Sequence, residues 1–168
     1  MVPLAGLTKH EQIGILVPEY LKAGLYMANV LKISEAASLA LHTMALLATS
    51  DGTTRATWEI AKTLRVSEAH LAKVLQRLGR AGLVKSQRGP GGGFTLGKAP
   101  ESITLLDVYE ATEGPLDTPV CLLGRPACNG SCILGGLLDQ VGAQIREYFA
   151  QTRLSDLSGG MFGEEKYA

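Results

Sequence analysis

Apolar residues recur at three- and four-residue intervals in five stretches of the chain, and each stretch predicts a helix. Leu71, Val74, Leu75 and Leu78 form the cleanest stripe, with Ser67 placed to cap the helix start and Gly82 to stop it. Glu68, Lys73, Arg77 and Arg80 fall largely on other faces, so this helix is amphipathic and basic. Upstream, Ile33 to Ala48 carries Leu39, Leu41, Met44 and Leu47 behind Ser34 as cap. Asp51-Gly52 predicts a turn, Thr57 to Leu64 a shorter helix, and Arg65-Val66 a tight entry into the basic helix. Downstream, Thr104 to Thr112 and Ile133 to Gln151 are periodic again, the latter through Leu134, Leu137, Leu138, Val141, Ile145 and Phe149.

The period changes after Gly82. Leu83 to Ser86 reads as a short strand, Gly89 to Gly93 as a turn, and Phe94 to Leu96 as the returning strand. Helix, glycine stop and hairpin is the order of a recognition helix and wing. The expected fold is therefore mainly α with a small β-hairpin wing: a winged helix-turn-helix followed by a long C-terminal dimerisation helix. That helix carries more apolar surface than one neighbour can cover, which predicts a homodimer seam.

The chain divides accordingly. Residues 1–30, interrupted by Pro3, Gly6, Gly14, Pro18 and Gly24, form an N-terminal extension to which no role is assigned. Residues 31–100 are the winged unit, and 101–132 a connecting helix and cysteine-bearing loop. Residues 133–158 are the dimerisation helix and C-terminal segment, and 159–168 a tail.

Of the 168 residues, 46% are hydrophobic and 19% charged, enough to bury a core. No apolar run approaches the ~20 residues of a membrane span, and no signal pattern opens the chain. A soluble, cytoplasmic protein without membrane contact is expected. The net charge is zero, but it is unevenly spread. Residues 54–98 hold nine bases against two acids, +7, leaving seven bases and fourteen acids elsewhere, −7. A basic module on an acidic body is what a protein needs if one face meets phosphate.

All three cysteines, Cys121, Cys128 and Cys132, lie within twelve residues in CLLGRPACNGSC. An odd number of cysteines in a reducing compartment favours a soft-metal or redox site over a disulfide. The spacing alone suits zinc or a thiol sensor as well as an iron–sulfur cluster. Enzymatic readings have little support. The GPGGG run leads into a strand and lacks the Lys-Ser/Thr of a phosphate loop, and no Ser-His-Asp or paired-carboxylate pattern occurs. A small oxidoreductase using the same cysteines is the distant alternative.

Several segments together resemble the Rrf2 family of bacterial winged-helix transcription regulators, the group that contains the iron–sulfur regulators IscR and NsrR. These are KIS…ALHTMALLA, IAKTLRVSEAHLAKVLQRLGRAGLVKSQRGPGGGFTLGK, ESITLLDVYEATEG, the cysteine loop and RLSDL. The resemblance covers roughly residues 31–158 and implies a homodimer on a palindromic double-stranded DNA operator. It implies Arg88 in the minor groove, with Gly89 and Gly91 to Gly93 letting backbone approach phosphate. Thr57 and, from the recognition helix, Ser67, His70, Lys73 and Arg77 are the expected DNA contacts. Ala72 stands where some members carry a glutamate that tunes sequence choice.

The same resemblance implies a [2Fe-2S] or [4Fe-4S] cluster on Cys121, Cys128 and Cys132. His42, in its ALH context, is the expected fourth ligand from the first helix. Two departures are plain: three residues rather than five separate the last two cysteines, and Gly135 replaces a histidine that often follows the third. Ser38 stands where some members place a carboxylate ligand.

Overall fold

The computed structural model describes residues 33–89, 91–117, 129, 133–134 and 136–157. Helix α1, Glu35–Ala48, begins where Ser34 Oγ accepts the Ala37 N–H at 3.1 Å. The same hydroxyl donates to Glu113 Oε1 at 2.6 Å, linking the first helix to a segment 79 residues later. Ala37, Ala40, Met44, Leu46 and Leu47 are buried, and α1 is the central post of the fold. Asp51 and Gly52 both take positive φ at the turn that follows.

Helix α2, Thr57–Leu64, has alanine at its N-cap, so no side chain there can accept a hydrogen bond. Glu59 compensates by accepting the Ala56 N–H at 2.8 Å and by placing a negative charge at the positive end of the helix. The helix stops at Arg65, which is left-handed (φ 54°), an arrangement that costs a residue with a Cβ about 1 kcal/mol. Helix α3, Glu68–Arg80, is capped by Ser67 and buries the expected stripe Leu71, Val74, Leu75 and Leu78. Gly82 is left-handed, and the Leu83 N–H closes back onto the Leu78 carbonyl at 2.9 Å, satisfying an orphan acceptor of the last turn.

Strands β1, Val84–Gln87, and β2, Gly93–Leu96, pair antiparallel with Val84 opposite Leu96 and Gln87 opposite Gly93. The hairpin is anchored by more than its own ladder. Arg55, in the connector before α2, exchanges both backbone hydrogen bonds with Phe94, at 3.0 and 2.8 Å. Gly93 allows that approach, since a Cβ there would overlap the Arg55 carbonyl.

Helix α4, Leu105–Glu113, opens with a capping box between Thr104 and Asp107. Helix α5 spans Leu137–Gln151, four residues shorter at its start than the periodicity predicts. Gly136 is left-handed there (φ 84°) and the Leu137 N–H bonds the Leu134 carbonyl, so the chain enters the helix through a turn. The chain then returns to pair Arg153 with Thr104 and buries Leu154 completely. Tyr109 of α4 and Phe149 of α5 meet edge to face with ring centres 5.9 Å apart. The architecture is a winged helix: mostly helical, with one two-stranded antiparallel hairpin among the described residues.

Candidate nucleic-acid interface

Because Leu71, Val74, Leu75 and Leu78 point inward, the opposite side of α3 is set by helical geometry. Ala69, Lys73, Gln76 and Arg80, spaced four, three and four residues apart, make that outward stripe, and all four are exposed. Ala72 lies on the flank toward the wing. Between α3, the wing and the start of α2 is an open cavity of about 590 Å³ lined by Thr57, Ala72, Gln76, Arg80, Ser86 and Phe94 among others. Of the expected DNA contacts, Thr57 borders this cavity and Lys73 lies on the outward stripe. Ser67 is exposed at the helix start, where its hydroxyl oxygen is occupied as the cap acceptor from the His70 N–H.

The wing tip carries Arg88, exposed on the hairpin. Gly89 (φ 105°) and Gly91 (φ 79°) have no atom within 4 Å of a would-be Cβ, so the tip is open. Gly92 and Gly93 differ. A Cβ at Gly92 would collide with the Gln87 and Gly89 carbonyls, so these two glycines serve the packing of the hairpin rather than an external approach. Thr54 Oγ1 donates to Gln87 Oε1 at 2.7 Å and braces the base of the tip.

Two residues grouped with the DNA contacts also meet neighbouring helices. His70 and Arg77 share the flank of α3 away from the wing. His70 Nδ1 lies 3.4 Å from Glu35 Oε1 in the first turn of α1, and Arg77 Nη1 donates to the Thr112 carbonyl at 2.9 Å in the last turn of α4. Among the described residues, Lys73, Gln76, Arg80 and Arg88 have no such partner. Gln76, Arg80 and Ser86 line the same cavity but were not among the expected contacts. The apolar stripe of α3 held the signal for the first two, since subtracting it leaves the 69–73–76–80 row. Trp58, the chain's one tryptophan, is 56% exposed beside Thr57 and was likewise passed over.

His42 is exposed on α1 and borders a smaller cavity, about 220 Å³, with Glu35, Ser38, Leu39, Leu64 and Val66. Its Nδ1 is 2.7 Å from the Ser38 carbonyl. A carbonyl only accepts, so Nδ1 carries a proton, and Nε2 is the nitrogen that the neutral ring would offer to a metal. Cys121, Cys128 and Cys132 lie outside the described residues. The segment leading to them is tied down: Glu110 Oε1 accepts the Leu116 N–H at 3.2 Å and faces Arg146 Nη1 of α5 at 3.4 Å.

Residues 33–159 match the family model described as Rrf2, iron-dependent transcriptional regulator. The chain belongs to the Rrf2 family. CymR of Bacillus subtilis is 36% identical over 109 residues, covering 64% of this chain and 74% of that one. NsrR of Shouchella clausii is 33% identical over 102 residues, covering 59% and 68%. The solved structure of B. subtilis CymR superposes with a TM-score of 0.65 at 31% identity over 76% of this chain and 96% of that one. For T. potens IscR the TM-score is 0.60 at 27% identity, covering 76% and 85%. This Rrf2 protein is thus a DNA-binding transcription regulator and not an enzyme. Among the described residues no helix is long and apolar enough to cross a membrane.

Proposed function

We propose that this Rrf2 protein is a homodimeric regulator whose operator binding is controlled by an iron–sulfur cluster on the segment after α4. The observation that carries the reading is the grouping of three cysteines in twelve residues directly downstream of a helix tied to the recognition helix by Arg77. The iron-dependent description of the family model supports it. Cys121, Cys128 and Cys132 would hold the cluster as thiolates, and His42 Nε2 is the available imidazole donor. When bound, the cluster supplies sensitivity to iron supply and oxidants that ordinary side chains lack.

The chain's own residues supply the coupling. Leu116 hangs from Glu110, so a new path for the chain beyond Asp117 pulls on the last turns of α4. Arg77 passes that displacement to α3 through the Thr112 carbonyl. The flank of α5 beside its buried face, with Leu137, Val141, Gln144 and Tyr148, is the seam for a second copy, Leu137 and Tyr148 being exposed at 50% and 60%. Two recognition helices then match or miss half-sites about 34–36 Å apart, one turn of DNA. Positioning falls to Ser67, Lys73 and Arg88, with Thr57 and the open glycines Gly89 and Gly91 beside the backbone.

Anaerobic purification followed by absorbance, iron and acid-labile sulfide analysis tests this reading. Iron and sulfide together, lost on Cys128→Ala, are the expected result; absence of both removes the cluster. The second reading is a cluster-free thiol sensor, favoured by the likeness to CymR, the global cysteine regulator of B. subtilis. Iron-free protein whose DNA affinity changes reversibly with peroxide would select it.

A further inference from the structure

We infer that Gln76 is the base-reading residue of the recognition helix and that it selects an adenine in each half-site of the operator. The inference rests on the DNA-binding reading and adds to it the chemistry of the sequence recognised.

The outward stripe of α3 offers four side chains to a major groove, Ala69, Lys73, Gln76 and Arg80. Base edges are told apart by their pattern of donors and acceptors. Adenine presents N7 as acceptor beside N6–H₂ as donor, a pair that only a primary amide can meet with one planar group. Lys73 and Arg80 carry donors alone, and alanine carries neither. Gln76 is therefore the one residue of the stripe able to read adenine bidentately. The flank residues His70 and Arg77 lie to the side of this stripe, His70 3.4 Å from Glu35 and Arg77 bonded to the Thr112 carbonyl.

Placement agrees with this role. Gln76 is exposed, lines the cavity between α3 and the wing, and has no side-chain partner among the described residues, so its amide is not diverted. Lys73 stands one turn before it and Arg80 one turn after. Cations at both ends draw the phosphate-lined walls of the groove toward the helix, which leaves the neutral amide between them over the floor. Ala69 and Ala72 add no bulk and let the helix sit deep, with methyl groups suited to a neighbouring thymine methyl.

The test is selection of bound sequences from a randomised duplex library by the full chain, beside Gln76→Ala and Gln76→Glu. Both substitutions are on an exposed helical position that alanine and glutamate accept. The wild type should select a two-fold-related pair of adenines, each preferred by about fivefold to a hundredfold over other bases, the range of a bidentate contact. Gln76→Ala should lose preference at that pair of positions alone, and Gln76→Glu should move it toward cytosine, whose N4 donates. Uniform weakening with unchanged base preferences would make Gln76 a phosphate contact and overturn the inference. Unchanged preference and affinity would overturn it equally. A wild type that selects no sequence would instead sink the DNA-binding reading beneath it.

Discussion

Arg77 of the recognition helix donates to the backbone carbonyl of Thr112, 35 residues later, at 2.9 Å. One N–H of a guanidinium expected on phosphate is committed to the C-terminal turn of α4, where unpaired carbonyls gather the negative end of the helix dipole. The recognition helix and the helix that leads toward the cysteines are thereby one mechanical unit.

Arg77→Ala should cost about 1 kcal/mol in urea denaturation, the usual worth of a partly exposed charge-assisted bond. It should leave the slope of log K against log salt unchanged. Arg88→Ala, which removes an exposed wing cation, should reduce that slope by about one unit. A reduced slope for Arg77→Ala would return Arg77 to the DNA-contacting set.

Gly93→Ala should detach the wing. Its Cβ would overlap the Arg55 carbonyl and break the two backbone bonds between Arg55 and Phe94. A loss of about 2–3 kcal/mol in stability is expected from such overpacking. Gly89→Ala, where the surrounding space is open but φ is 105°, should cost less. Thermal melts of the two variants give the order directly.

Arg65 pays for a left-handed backbone that glycine would adopt freely. Arg65→Gly should raise stability by up to about 1 kcal/mol while removing one charge from the basic module. Equal melting temperatures would show that the relief of strain is offset by the greater unfolded-state entropy of glycine or by contacts of the Arg65 side chain.

Burial pushes the Tyr109 hydroxyl above its ordinary value of 10.0, with the Glu113 carboxylate adding to the effect. The unfolded chain therefore ionises first as pH rises. Stability from this group is complete below pH 10.0 and is lost as pH climbs toward the higher folded value. Denaturation midpoints of wild type should fall more steeply above pH 10 than those of Tyr109→Phe, while the two run parallel below it.

Val141→Glu places a charge in the middle of the α5 flank proposed as the seam, at a half-buried position. Light scattering should report a dimer for the wild type and a monomer for the variant, with far-ultraviolet dichroism unchanged. A monomeric wild type would remove the seam from the proposed function.

Most elements were legible in the sequence because their causes are local. The Leu71–Leu78 stripe, the serine caps at 34 and 67, and the Gly82 stop each act within a turn or two, and each stands where periodicity put it. The start of α5 was misjudged because Ile133 and Leu134 continue the apolar period, whereas a left-handed Gly136 interrupts the backbone beneath it. Hydrophobic spacing reports which side faces inward; it does not report where the chain turns.

The sequence by itself determined a winged helix with a basic outer face, because amphipathic period, capping and glycine placement are short-range physics. Only the tertiary structure decided which polar side chains that face has to offer. His70 finds Glu35 and Arg77 finds Thr112 across long stretches of chain, and Gly93 is required by Arg55. A side chain's partner depends on which segments pack together, and that choice is made by the shared core, not by its neighbours in sequence.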